Sequence, residues 1–212
     1  QIISNLFGPG MSGGTLSPLS ASGMDRMHHA ALDALKTIGL SQAPDTGAAA
    51  MTAAGAILGD NGRMRFPRAL VEDTIAKANR SITLRARDPK HDMVLFGTRV
   101  HYGTAGAAVH VVDVDGRHYR DSTLQDLHDA ARIADVLDNL HFVQRPMVAR
   151  DILDNHEMDL NTIYACCAGT RKHVGVSFTE PGFVPDALDM LHLMAGSEEE
   201  WRERPFVSNS NC

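Results

Sequence analysis

The stretch Arg99–Gly116, RVHYGTAGAAVHVVDVDG, decides how the rest of the chain is read. It begins as a strand, with Val100 and Tyr102 alternating with polar neighbours, and enters a turn of small residues, Gly103-Thr104-Ala105-Gly106. It leaves as a second strand over Val109 to Val114 that ends in Asp115-Gly116, a dipeptide that tolerates positive φ and so favours a tight hairpin. Glycine at a strand end also lets a ligand or another backbone approach closely. Before this stretch the pattern is helical with short strands; after it, helices and strands alternate strictly. The stretch therefore reads as the entry to a β/α domain and as the first wall of a binding site.

Downstream, Ser122 or Thr123 is placed to cap a helix with Leu124, Leu127, Ala131, Ala134 and Leu137 or Val136 inward, and a strand over His141 to Val148 follows. A helix over Asn155 to Ala168, closed by Gly169, precedes a strand over His173 to Phe178. A helix over Val184 to Ala195 leads through the acidic run Ser197 to Glu200, read as a solvated connection, into a strand at Pro205 to Ser208. Strands separated by helices of this length imply parallel pairing, because a parallel crossover needs a dozen or more residues. Both an open doubly wound sheet and a (β/α) barrel satisfy that. No strand is followed by G-x-G-x-x-G and there is no Walker loop, which weakens the nucleotide-binding form of the open sheet. A barrel needs about eight strands, and the chain offers roughly half of them.

Upstream, residues 1–21 are rich in glycine, serine and proline without a period and read as an arm. A helix from Ser22 to Ile38 carries Met24, Met27, Ala31, Leu35 and Ile38 at helical spacing and ends at Gly39. A second helix is expected over Asp45 to Leu58, then a turn at Asp60-Asn61-Gly62 and a short strand from Arg63 to Phe66. Pro67 suits the first position of a third helix with Leu70, Val71, Ile75 and Ala78 on its apolar face. Two strands follow, Ser81 to Arg87 and Met93 to Phe96. Residues 22–98 thus read as an α+β cap, and residues 99–212 as the first half of a (β/α) barrel. Because the last strand would lack its crossover helix and next neighbour, the reading also expects a longer parent chain, or another chain covering that edge.

With 212 residues, 43% hydrophobic and 22% charged, the chain is globular rather than disordered. A net charge of −6 without a basic stripe argues against a nucleic-acid surface. No apolar run approaches the roughly 18 residues of a membrane span, and no signal peptide is visible. Cys166 and Cys167 are adjacent, and with Cys212 they form no metal-type pair, so reduced thiols and a cytoplasmic setting are expected. The eleven histidines come without H-E-x-x-H or C-x-x-C and read as scattered surface residues, with no metal site. Cys166-Cys167 lacks an adjacent base and reads as buried filler.

The segments GGTLSPLS (Gly13 to Ser20), MHHAALDALKTIGL (Met27 to Leu40) and RMRFPRALVEDTIAKANRSITLRARDP (Arg63 to Pro89) resemble the amino-terminal half of the trimethylamine methyltransferase family. So do VHYGTAGAAVHVVDVDGRHYRDSTLQDLHDAARIADVLDNLHFVQRPMV (Val100 to Val148) and ERPFVSNSNC (Glu203 to Cys212). The resemblance implies an α/β fold, a partial (β/α)8 TIM barrel, whose mouth holds a methylated amine. The methyl group would pass to the Co(I) of a corrinoid carried by a separate protein, with no corrinoid bound by this chain alone. It also implies a pyrrolysine in the second half of the trimethylamine enzymes, a segment absent here, so no catalytic residue is carried over.

In a barrel the working groups lie at the carboxyl ends of the strands. Those ends place Tyr102, Thr104, Gln144, Arg145 and Asn209 as candidate substrate-binding residues. Tyr102 and Thr104 share parity and should face the same way, whereas Gln144 and Arg145 cannot both face inward while their strand lasts. A quaternary ammonium would want the aromatic faces of Tyr102, Phe142 or Phe178, and a betaine carboxylate would want the fork of Arg145, helped by Asn209. The expected function is methyl transfer from trimethylamine or a betaine-like amine, in a homo-oligomer or with the missing half. The rival expectation is a non-catalytic module that binds a methylated amine or a partner protein.

Overall fold

The computed structural model describes residues 10–14 and 16–210, so the expectations for residues 1–9, Asn211 and Cys212 lie outside the described residues. The chain divides into two compact units, one of Gly14–Arg80 and the other of residues 81–210 joined by residues 10–13. The described chain opens on strand β1 (Met11–Ser12), which belongs to the second unit. Part of the expected arm is therefore ordered.

The unit Gly14–Arg80 holds α1 (Ala21–Thr37), α2 (Asp45–Ala53), β2 (Ile57–Leu58), β3 (Met64–Arg65) and α3 (Arg68–Lys77). Ser20 starts α1 by accepting the Gly23 N–H at 3.1 Å. Gly39 ends it with φ +70, and a Cβ there would strike the Met64 carbonyl, so both backbone handedness and space demand glycine. The second helix stops at Ala53 instead of reaching Leu58. Gly55 at φ +107 breaks it, and Ile57 and Leu58 are instead drawn into an antiparallel pair with β3. The expected apolar face of α1 is also corrected. Leu32 is its buried residue, whereas Met27 is 61% exposed.

In the second unit β4 (Ile82–Leu84) pairs antiparallel with β5 (Met93–Leu95), and β6 (Arg99–Val100) pairs antiparallel with β1. The hairpin expected at Asp115-Gly116 joins β7 (His110–Val112) to β8 (Tyr119–Asp121), with Gly116 at φ +69. Then come α4 (Leu124–Val136), β9 (Phe142–Gln144), α5 (Asn155–Gly169), β10 (His173–Val176), α6 (Val184–Ala195), α7 (Glu198–Glu203) and β11 (Val207–Asn209). Strands β9, β10 and β11 form one parallel sheet in sequential order. The segment around Gly103 joins the far side of β9 through a parallel bridge to Phe142.

Three local differences from the expected elements have physical causes. The strand at His141 to Val148 shortens to β9, because Pro146 has no N–H for the ladder and turns its carbonyl to the N–H groups of Ala107 and Ala108. The strand at His173 to Phe178 ends at Val176, before Phe178 packs against the core. The run Ser197 to Glu200 is not a connection but the start of α7. Ser197 caps it by accepting the Glu200 N–H at 3.1 Å, and the glutamates of the first turn suit the positive end of the helix.

The core of this unit lies between the parallel sheet and its helices. Val143, Val174 and Val176 meet Leu127, Ala131 and Ala134 of α4, Ile163, Cys166 and Cys167 of α5, and Ala187 and Leu191 of α6. Burying each large aliphatic side chain here contributes on the order of 2 kcal/mol. Helices α4 and α5 approach closely because Gly169 has no side chain; a Cβ there would stand 2.7 Å from the Ala131 Cβ. Thr123 and Asp126 form a capping box at the start of α4. Arg120 bonds Asp126 at 2.7 and 2.8 Å and holds its carboxyl well below the usual range. At the other end of α4, buried Lys172 donates from Nζ to the carbonyls of Ala134 (2.7 Å), Leu137 (2.8 Å) and Leu140 (2.6 Å). Among the described residues no helix is long and apolar enough to cross a membrane.

Candidate functional site

Residues paired across a parallel sheet share a face, and neighbours along a strand alternate between faces. The register Val143–Val174–Val207 places those valines on the helix side, with Val143 and Val174 fully buried. The register Gln144–Gly175–Ser208 lies on the opposite face, together with Phe142 and His173. Gly103 belongs to that opposite face as well, since a Cβ on it would overlap the Phe142 ring.

This opposite face is polar and tightly organised. The Gln144 carboxamide lies directly over Gly175, in the space a Cβ would take. Beside it, His173 Nε2 stands 3.0 Å from Ser208 Oγ, while His173 Nδ1 stands 2.6 Å from the Arg85 carbonyl. At the same strand-start end, the Asp88 N–H donates to the Arg171 carbonyl at 3.1 Å. Asp92 is held there by Arg85 at 2.8 Å and Arg204 at 2.9 Å. The β4–β5 hairpin thus lies against the amino ends of β10 and β11.

The expected site residues are not all brought together. Thr104 Oγ1 donates to the Gln144 carbonyl at 2.5 Å, so these two are joined. The Tyr102 N–H donates to His141 Nδ1 at 2.9 Å and its carbonyl accepts the His141 N–H at 2.7 Å, but its side chain is 55% exposed. Counting from Gly103, alternation puts Tyr102 and Thr104 on the helix side. The Arg145 N–H donates to the Gly175 carbonyl at 3.0 Å, so the ladder continues and Arg145 takes the parity of Val143. Its charge bears on the buried Cys166 thiol, although burial dominates there and pushes that thiol up to about 12. Asn209 pairs with core-facing Val176 and is exposed. Of the five, Gln144 alone has the parity of the polar face.

The reading of the histidines as surface residues is corrected for two of them. His141 is 5% exposed and His173 3% exposed, and burial lowers the proton affinity of both. Sequence reasoning also missed His173 and Ser208 as a pair. The available signal was parity, since His173 stands two residues before the small Gly175 in a short strand whose intervening residues are valines. Among the described residues no group of three histidine, cysteine or acidic side chains is arranged to hold a metal ion.

A family model described as Trimethylamine methyltransferase (MTTB) matches residues 9–211. The trimethylamine methyltransferase MttB of Desulfitobacterium hafniense (strain DSM 10664 / DCB-2) is 32% identical over 155 residues, covering 70% of this chain and 30% of that protein. The enzyme of the same name from Methanosarcina thermophila is 27% identical over 153 residues, 70% of this chain and 32% of that protein. A glycine betaine methyltransferase of Desulfitobacterium hafniense (strain Y51) is 23% identical over 145 residues, 68% of this chain and 30% of that protein. The matched region thus spans about a third of the length of these relatives.

Proposed function

The chain belongs to the trimethylamine methyltransferase family, and from that membership we propose that the protein moves a methyl group from a tertiary or quaternary methylated amine to the Co(I) of a corrinoid on a separate protein. The observation that carries this reading is the family match across residues 9–211. Relatives named for trimethylamine and for glycine betaine support the substrate class. Parallel strands in sequential order support the first part of a (β/α)8 barrel, a fold whose chemistry sits at the carboxyl ends of its strands.

The reduced cobalt of the partner would supply the nucleophile: a Co–C bond would form as the C–N bond breaks. A nitrogen that already carries a fourth substituent, a proton on trimethylamine or a further alkyl group on a quaternary ion, would leave as a neutral amine with the electron pair. The protein's work is then alignment and electrostatics. Gln144 faces the substrate, the Thr104 hydroxyl pins the Gln144 main chain, and Gly175 gives the carboxamide room. Tyr102, Arg145 and Asn209 frame the same end of the sheet from its other side. Two buried free thiols, Cys166 and Cys167, suit a reducing cytoplasm. The partners proposed are the amine, the corrinoid protein, and a further segment or second copy covering the β11 edge.

The test is methyl transfer. Full-length protein is incubated with cob(I)alamin and either trimethylamine or glycine betaine, and the methyl-cobalt absorbance is followed. The signal is expected with at least one amine. Amine binding without it would make the protein a binding module instead.

A further inference from the structure

Chemistry fixes the direction of the hydrogen bonds through His173. A carbonyl can only accept, so His173 Nδ1, 2.6 Å from the Arg85 carbonyl, carries the ring proton. Burial lowers the ring's proton affinity and so favours its neutral form, against the opposing pull of that carbonyl and of Asp92. Nε2 is then a bare acceptor, and the proton in its 3.0 Å contact with Ser208 must be the serine's own. With its single proton committed inward, half-buried Ser208 offers lone pairs to its surroundings.

The neighbouring strands reinforce that polarity. Ser208 is the register partner of Gly175, over which the Gln144 carboxamide lies, so a second polar group stands in the same row. Arg145, the nearest cation along β9, alternates to the helix side. The row thus sets the Ser208 lone pairs beside a carboxamide whose oxygen can also accept, with the Arg145 side chain turned to the helix side, and a cation that can donate a hydrogen bond suits it.

We propose that Ser208, oriented by His173, is a specificity-determining residue that favours ammonium ions bearing an N–H over quaternary ammonium ions. The proposal rests on the methyl-transfer reading for the placement of substrate on this face. Protonated trimethylamine has one N–H to give to Ser208 Oγ. A quaternary ion of similar shape has none, and it would strip water from the serine lone pairs and return nothing. A hydrogen bond to a charged group in a partly buried site is worth about a tenfold difference in affinity or more. His173 acts through Ser208 and is a positioning residue.

The experiment is calorimetric titration of full-length protein with trimethylammonium chloride and tetramethylammonium chloride, repeated on Ser208→Ala and Ser208→Thr, with thermal unfolding to establish that each variant folds. Native protein is expected to bind the trimethylammonium ion about tenfold more tightly. The preference should vanish in Ser208→Ala and return in Ser208→Thr, which keeps the hydroxyl. Equal affinities in native protein, or a preference unchanged in a folded Ser208→Ala, would overturn the proposal. Should Ser208→Ala not fold, Ser208→Cys takes its place, since it keeps the size of the side chain but is a poor acceptor, and the preference must fall in it. Selective binding without a methyl-cobalt product would end the methyl-transfer reading and leave the selectivity standing, whereas methyl transfer without selectivity would do the reverse.

Discussion

The Gln144 carboxamide occupies the volume that a side chain on Gly175 would fill, so one strand's glycine fixes where its neighbour's functional group lies. The two residues are register partners in the parallel sheet, so a side chain added at Gly175 acts first on Gln144.

Gly175→Ala should therefore act on Gln144. The added methyl must displace the carboxamide, which is the far end of a flexible, half-buried side chain and can swing aside, so the cost to stability should stay within about 1 kcal/mol. A urea titration should show that small change, while the rate of methyl transfer falls toward that of Gln144→Ala. A loss of several kcal/mol that Gly175→Ala plus Gln144→Ala does not relieve would mean that the methyl meets something else.

Lys172→Met should destabilise the unit of residues 81–210. The substitution keeps the length of the side chain but leaves the carbonyls of Ala134, Leu137 and Leu140 without their shared donor. Buried acceptors stripped of a charged donor cost about 3 kcal/mol in total. Denaturant unfolding measures it, and a change below about 0.5 kcal/mol would be the ordinary result for a surface site instead.

Acid should weaken the fold before any carboxylate titrates. Burial lowers the proton affinity of His91, His101, His141 and His173, and the cations Lys172 and Arg99 add to the effect at His141. The unfolded chain then binds more protons than the native one, so stability rises with pH through this range. Nothing is lost above the unfolded histidine value near 6.5, and the loss grows as pH falls below it. Asp92 and Asp135 add theirs only below about 4. Burial opposes ionisation at both, but hydrogen bonds from Ala86 and Arg85 to Asp92, and from Arg171 and Thr170 to Asp135, outweigh it and hold both carboxyls low. The urea midpoint at pH 5.5 should sit below that at pH 7.5; equal midpoints would show that these rings are charged or solvated.

Cys166 and Cys167 should resist alkylation in native protein at pH 8. Burial pushes both thiols up to about 12, leaving almost no thiolate to react. Peptide mass spectrometry after iodoacetamide should find both unmodified until urea unfolds the chain. Rapid native labelling would place them at an open surface.

The helices were legible because their ends are local chemistry. Ser122 or Thr123 ahead of α4, with Thr123 the cap that forms, and Gly39 after α1 are visible as caps in the sequence. The parallel rhythm after Thr123 was legible too, since helical spacers dictate it. What periodicity could not supply was which face of each strand would meet the helices. Tyr102, Thr104, Arg145 and Asn209 stand at strand ends, which the sequence shows, but their parity follows from register, which is a long-range property. The end of α2 at Ala53 likewise depended on β3 competing for Ile57 and Leu58. His173 looked like one histidine among eleven, because its partners, Arg85 and Ser208, are remote in sequence.

The central claim is that methyl transfer occurs on the sheet face carrying Gln144, and one comparison tests it most directly. The rate of methyl-cobalamin formation from the preferred amine is measured for full-length native protein, Gln144→Ala and Arg145→Ala. Loss of a positioning contact at the reacting amine should lower kcat/KM for Gln144→Ala about tenfold to a hundredfold. Arg145→Ala, on the helix side, should stay within about threefold of native. The opposite ranking, with Arg145→Ala crippled and Gln144→Ala near native, would contradict the account.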